Sequence, residues 1–212
     1  MNFLSKLSFG FLGVIFFAAV CAPWITSHSY ETQDTLNTLA TPSFSHLMGT
    51  DRLGRDLFSR LIYGARVSLF IGVFTTLLAL IVGTIYGSIS GYVGGRIDGF
   101  MMRVVDVIFA LPDMLMIILI TVMMGRGVLG MFVALTLVSW VTVARLVRGE
   151  VLRIKEKTYV EAARALGASS PRILIQDILP NILGLMVVTL TFRIPAAILA
   201  ESTLSFIGLG VA

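Results

Sequence analysis

Charge is scarce in this 212-residue chain: Asp, Glu, Lys and Arg make up 13% of it, against 57% hydrophobic residues. With a mean hydropathy of +0.94, the composition excludes a soluble globular protein and implies an integral membrane one. A crossing needs about 20 mostly apolar residues, so roughly five to six crossings and their loops would use up the chain. That leaves no room for a sizeable soluble domain, and any catalytic domain must lie elsewhere. Lysine occurs only at 6, 155 and 157, never after a glycine, so there is no GxxxxGK[ST] phosphate loop and the chain is not an ATPase. Cys21 stands alone, which excludes an intramolecular disulfide and a cysteine-based zinc cluster. His28 and His46 are too few and too isolated in sequence for a metal site, and are expected to be solvated loop residues. No nucleophile, histidine and acid set is available inside the membrane, so neither catalytic nor metal-binding residues are expected.

The charge that is present carries the topology. A net charge of +4 and a pI near 9.6 would suggest nucleic acid if the basic residues formed a surface patch. They sit between apolar runs instead and read as membrane-flanking charge. Residues 7–30 are uncharged and follow Lys6; they could form a cleaved signal, but the long apolar part, 9–25, and the bulky Val20 beside Cys21 favour a retained first helix. Residues 27–66 turn polar and read as an extramembrane loop. Further spans are expected over 67–95, over 107–125 with an interruption at Pro112-Asp113, over 127–144, and over 178–200 with Arg193 inside. Ten Lys and Arg fall on the side holding Lys6, Arg96, Arg103 and the 145–172 loop, against five (Arg52, Arg55, Arg60, Arg66, Arg126) on the other. The positive-inside rule places the ten, and the N-terminus, in the cytoplasm.

Gly83, Gly87 and Gly91 recur every four residues, lining one helix face with hydrogens so that a neighbouring helix can approach closely. A packing seam and a flexible gate are the two readings. Asp106 and Asp113, seven apart, are expected on one side of the third helix, with Arg103 one turn before Asp106 and able to pair with it. Charges at membrane depth, Arg193 included, usually face protein or an aqueous cavity. A proton relay through Asp106 or Asp113 is the alternative to structural pairing.

Between the fourth and fifth spans, Thr158 with Glu161 three residues on predicts a capping box opening a helix, Gly167 suits a left-handed residue after its end, and Ser170-Pro171 predicts an N-cap and first-turn proline for a second helix. The loop is thus a short helix, a tight turn and another helix. From spacing alone it could seat in a partner's groove or lie against lipid headgroups.

Glu161-Ala162-Ala163, then Gly167, then Leu179-Pro180 resembles the EAA loop of permease subunits of binding-protein-dependent ABC importers. Asp177 departs from the hydrophobic residue or histidine often found there. The run from Met48 to Arg66, containing GTDxxGRD (Gly49, Thr50, Asp51, Gly54, Arg55, Asp56), resembles the C-type permease subunit of dipeptide, oligopeptide and nickel importers. So do Gly94-Gly95-Arg96-Ile97-Asp98, Arg103-Val104-Val105-Asp106 and the stretch from Glu201 to Gly210. The charged turn of Asp51, Arg52, Arg55 and Asp56 could contact a binding protein or tether the second helix.

The resemblance implies an all-α, polytopic bundle of the type I importer permease fold with about five transmembrane helices, since the family's further outer loop and sixth helix would follow Ala212. It implies a helix over 1–26, an extracytoplasmic loop over 27–66, and a permease core over 67–212 with its coupling loop at about 150–177. Tyr159, Glu161, Ala162, Ala163, Gly167 and Pro180 would dock the ATPase, and Arg103, Asp106, Asp113 and Arg193 are the intramembrane or membrane-edge charges. The chain would bind no cofactor; ATP and Mg would sit on two ATP-binding partner subunits. A homologous permease, needed in part to cover the glycine face, and an extracytoplasmic solute-binding protein would complete an importer in the bacterial inner membrane. Peptides are the expected substrate and nickel the alternative; a proton-coupled secondary transporter and a non-transporting assembly factor are the other classes.

Overall fold

The computed structural model describes residues 3–210. Among them the regular structure is helical: α1 (Phe3–Val20), α2 (Ala22–Ile25), α3 (Leu57–Val93), α4 (Gly95–Phe109), α5 (Asp113–Met124), α6 (Val128–Ile154), α7 (Thr158–Ala165), α8 (Ser170–Arg172) and α9 (Leu179–Phe206), with a wide π-helical turn over Ile173–Ile178 before α9. The chain divides into two compact units, at Phe70 and Ile71 within α3. Among the described residues four helices are long and apolar enough to cross a membrane, or five spans if the bent pair α4 and α5 counts as one. The all-α polytopic architecture expected from sequence is what is found.

In the first unit α1 is almost wholly exposed, with Phe3, Phe9, Phe11 and Phe17 each more than 60% accessible. Such a helix keeps its side chains out of water only in lipid or against another chain. The segment expected to be an extramembrane loop to residue 66 is helical in its last part, because α3 begins at Leu57. Asp56 immediately precedes it, and Asp56 Oδ2 accepts the Ser59 N–H at 2.7 Å, an N-cap bond. At about 1.5 Å per residue the 37-residue α3 outruns a hydrocarbon core of about 30 Å, so Arg60 and Arg66 can be helical without lying in lipid.

The second unit is organised around α6. A Cβ built on Gly83 would stand 2.6 Å from Val143 Cβ, one on Gly91 would stand 2.9 Å from the Arg148 carbonyl, and one on Gly87 would overlap the Ala144 carbonyl. The glycine face is therefore filled by α6 of the same chain and does not wait for a neighbouring subunit. Contacts advance together along both helices, so α3 and α6 run parallel. Residues 94–127 must then carry the chain back across, and α4 and α5 do this as one broken span.

The break corrects the expected single third helix. Pro112 has no N–H to continue the helix and is itself extended, with ψ 129°, and α5 restarts with the Pro112 carbonyl accepting the Leu115 N–H at 2.9 Å. The axes bend by 81°, so Asp106 and Asp113 do not share a helix face. The helix α6 itself runs on past Ala144, where the fourth span is expected to end, to Ile154. It can do so because its arginines are paired: Arg148 makes two bonds of 2.5 Å to Asp98, and Arg145 reaches Asp106 at 2.5 Å while its guanidinium lies 4.1 Å from the centre of the Phe109 ring. Asp106 thus pairs with Arg145 rather than with the exposed Arg103.

Candidate functional site

The loop between α6 and α9 is built on one apolar root. Val160 is fully buried in a cluster with Val147, Val151 and Ile154 of α6, Ile173 and Ile178 of the π-turn, and Ile182 of α9; Ala163 and Ala168 pack against it half-buried. Around that root the rest of α7 is open. Tyr159 is 46% and Leu166 88% accessible, and Glu161, Ala162, Arg164 and Ala165 are exposed. Tyr159, Ala162 and Leu166 fall at i, i+3 and i+7, so an exposed stripe of the helix carries an aromatic, a methyl and a leucine.

The ends of α7 are made differently from expectation at one terminus and as expected at the other. Thr158 is the first helical residue rather than the cap; Lys157 occupies the N-cap position without a side-chain cap bond. The capping box with Glu161 therefore does not form, because the helix starts one residue too early and makes Thr158 its first helical residue, not its cap. At the C-terminus Gly167 has φ +84°, the Ala168 N–H donates to the Ala163 carbonyl and the Gly167 N–H to the Arg164 carbonyl, each at 3.0 Å. This pair of bonds is a Schellman motif. Ser169, not Ser170, is the N-cap residue of α8, again without a side-chain bond.

Pro180 explains the π-turn. It has no N–H to give to Gln176, and its ring would press on that carbonyl in a regular helix. Widening the six residues before α9 relieves both problems at the junction between loop and membrane helix. Asp177 sits inside this turn, its carbonyl accepting from Asn181 Nδ2 at 2.6 Å. The loop also lies at the end of the unit where α3 finishes, since Lys155 Nζ donates to the Gly91 carbonyl at 2.9 Å.

The GTDxxGRD turn, in the first unit, is a closed polar structure. Asp51 Oδ1 accepts the Leu53 and Arg55 N–H groups at 2.8 and 3.0 Å, and Asp51 Oδ2 accepts Arg55 Nε at 2.8 Å. Although burial pushes the Asp51 carboxyl up, these bonds outweigh it and hold the group below the usual range. Thr50 Oγ1 donates to the Asn37 carbonyl and accepts the Ala40 N–H at 2.8 Å. Gly49 and Gly54 have φ of +77° and +72°, and a Cβ on Gly54 would overlap the Asp34 backbone. The expected compact charged turn is present, with Asp56 committed to capping α3 and to His46, whose Nδ1 lies 3.0 Å from Asp56 Oδ1. Burial raises the Asp56 carboxyl but the Ser59 and His46 bonds bring it below its ordinary value. His28 and His46, isolated in sequence, meet with ring centres 4.6 Å apart.

Of the remaining charges, Arg193 is half-buried in α9 and Asp113 is exposed at the start of α5. Glu201 was visible only as part of a motif; it is 5% accessible and accepts the Ser205 hydroxyl at 2.7 Å.

Residues 83–212 match the family of binding-protein-dependent transport system inner membrane components. The chain belongs to this family. It is 46% identical to the dipeptide transport system permease protein DppC of Bacillus subtilis over 210 residues, 99% of this chain and 66% of that relative. It is 43% identical to the oligopeptide transport system permease protein OppC of the same organism over 99% of this chain and 69% of the relative. It is 44% identical to the glutathione transport system permease protein GsiD of Salmonella typhimurium over 95% of this chain and 67% of the relative. The chain thus spans about two thirds of the length of these permeases.

Proposed function

We propose that this family member is a transmembrane subunit of an ABC importer that takes up peptides, and that α7 with its Gly167 turn is the surface that receives the ATP-hydrolysing partner. The observation that carries the reading is the division of α7 and its C-cap between Val160, rooted in the cluster joining α6, the π-turn and α9, and a stripe of Tyr159, Ala162 and Leu166 left exposed among the described residues. A push on the stripe is transmitted through close-packed side chains to the ends of two membrane helices. Glu161 supplies a charge at the rim, Gly167 holds the turn, and Pro180 with the wide turn forms the joint to α9.

Orientation follows from charge. Arg148, Arg153, Lys155, Lys157 and Arg164 gather at and beside this loop, so this end is cytoplasmic, the N-terminus lies on the same side, and the GTDxxGRD turn lies outside. A peptide substrate, not nickel, is supported by the named dipeptide, oligopeptide and glutathione systems. ATP and Mg belong to two partner ATPases, a homologous permease completes the pathway, and a solute-binding protein delivers the substrate. The pairing of Asp106 with Arg145 favours a structural role for that acid over proton carriage.

Cysteines at Ala162 and Leu166, on a Cys21→Ser background, are expected to crosslink to the ATPase in the assembled importer. Ala163, half-buried against the core, should crosslink poorly and serves as the internal control. Crosslinks to lipid alone, or none in an intact complex, would overturn the docking assignment.

A further inference from the structure

We propose that His28, His46 and Asp56 form a binding site for a divalent transition-metal ion of the zinc class. One ligand atom from each of the three lies within 4.8 Å of the other two. Around an ion with bonds of about 2.0–2.2 Å, tetrahedral ligand atoms stand about 3.3–3.6 Å apart. The remaining contraction falls on His28, whose ring is exposed and free to swing without moving backbone.

The two inner ligands are already held. Asp56 is 5% accessible and its Oδ2 is engaged by the Ser59 N–H at the start of α3, which leaves Oδ1 directed at His46. The backbone of His46 closes a tight turn: its N–H donates to Ser43 Oγ at 3.1 Å, and its carbonyl accepts the Ser43 and Gly49 N–H groups at 2.9 Å each. Such outer contacts orient ligands before a metal arrives. An ion entering here replaces the direct bond between His46 and Asp56 with two bonds to itself and draws in His28, leaving the cap on α3 intact.

Two imidazoles and one carboxylate suit Zn²⁺, Cu²⁺, Ni²⁺ or Co²⁺ and are a poor match for Mg²⁺ or Ca²⁺, which prefer all-oxygen shells. Three protein ligands also leave a coordination position for water. The ion would tie the segment after α2 and the 43–49 turn to the first turn of α3. This assignment stands independently of what the chain transports.

The test uses full-length protein without a polyhistidine tag, in detergent, titrated with Zn²⁺, with Co²⁺ as the spectroscopic probe. One equivalent should bind, at about micromolar affinity or tighter, and Co²⁺ should give visible absorption of a low-coordinate nitrogen and oxygen site. His28→Ala changes an exposed residue and should still fold, yet weaken Zn²⁺ binding by at least about tenfold. Zn²⁺, and not Mg²⁺, should slow proteolysis of residues 27–56 in the wild type. Failure of the wild type to take up Zn²⁺, binding by His28→Ala as tight as wild type, or equal protection by Mg²⁺ would each overturn the site.

Discussion

The GTDxxGRD turn and the α7 loop are both short, both carry charge, and both depend on a glycine at positive φ, but they are finished to different degrees. In the turn nearly every polar group closes on another within the segment: Asp51 on Leu53 and Arg55, Thr50 on Asn37 and Ala40, Asp56 on Ser59 and His46. In the loop the backbone is closed by a Schellman motif but the side chains of Tyr159, Glu161, Ala162 and Leu166 are left facing out. A segment whose interactions are internally satisfied holds its own shape. One with a rigid backbone and an open apolar stripe is shaped for something else to complete.

The glycines give the sharpest way to break that comparison. Gly54 and Gly167 have similar left-handed backbones, φ +72° and +84°, but a Cβ on Gly54 would overlap the Asp34 backbone while one on Gly167 would meet open space. Gly167→Ala should therefore show backbone strain only, about 1–2 kcal/mol. Gly54→Ala adds a clash that backbone cannot relieve and should be the larger effect, about 3 kcal/mol or more. Thermal unfolding in detergent, with proteolysis of residues 27–56 as the local reporter, checks the order. Equal effects at the two glycines would show that the turn yields, and that its closure in the structure is not rigid.

These differences also explain what was legible from sequence. Spans, the glycine seam, the Gly167 turn and the charged turn could be read because each depends on local residue type. The differences have two causes: some charges pair with distant partners, and some helices begin or break a residue or more away from where the local pattern points. Arg145 and Arg148 read as the end of a span, whereas Asp106 and Asp98 pair with them and let α6 continue. Asp106 and Asp113 read as one face until Pro112 bent the path. Thr158 missed the cap by one residue, and Asp56, the cap that does form, was hidden in a motif. The meeting of His28 with His46 and Asp56 leaves no signal in sequence spacing, because it requires the whole 26–56 segment to fold back on itself.

A smaller effect is expected at the root of α7. Val160 has no accessible surface, and Val160→Ala removes two methyl groups from a packed cluster, which should cost about 1–2.5 kcal/mol. If the cluster transmits force from α7 to α6 and α9, ATP-driven uptake should fall further than the loss of folded protein accounts for. Uptake scaling simply with the amount of folded complex would show that Val160 only anchors the loop.

The smallest effect on stability, and the most telling for function, is expected at Leu166. At 88% accessible it contributes almost no buried area within the chain, so Leu166→Ser should change the stability of the isolated protein by less than about 0.5 kcal/mol. An apolar side chain so placed gains by burial only when a partner covers it, where an interface leucine of this kind can supply about 1–2 kcal/mol. Copurification with the ATPase, or its crosslinking through Ala162→Cys, should therefore weaken by roughly tenfold in Leu166→Ser while the unfolding temperature stays put. That pairing of outcomes separates a docking face from a helix that rests on lipid. A Leu166→Ser protein that loses stability but keeps its ATPase would reverse the contrast, making α7 the self-contained segment.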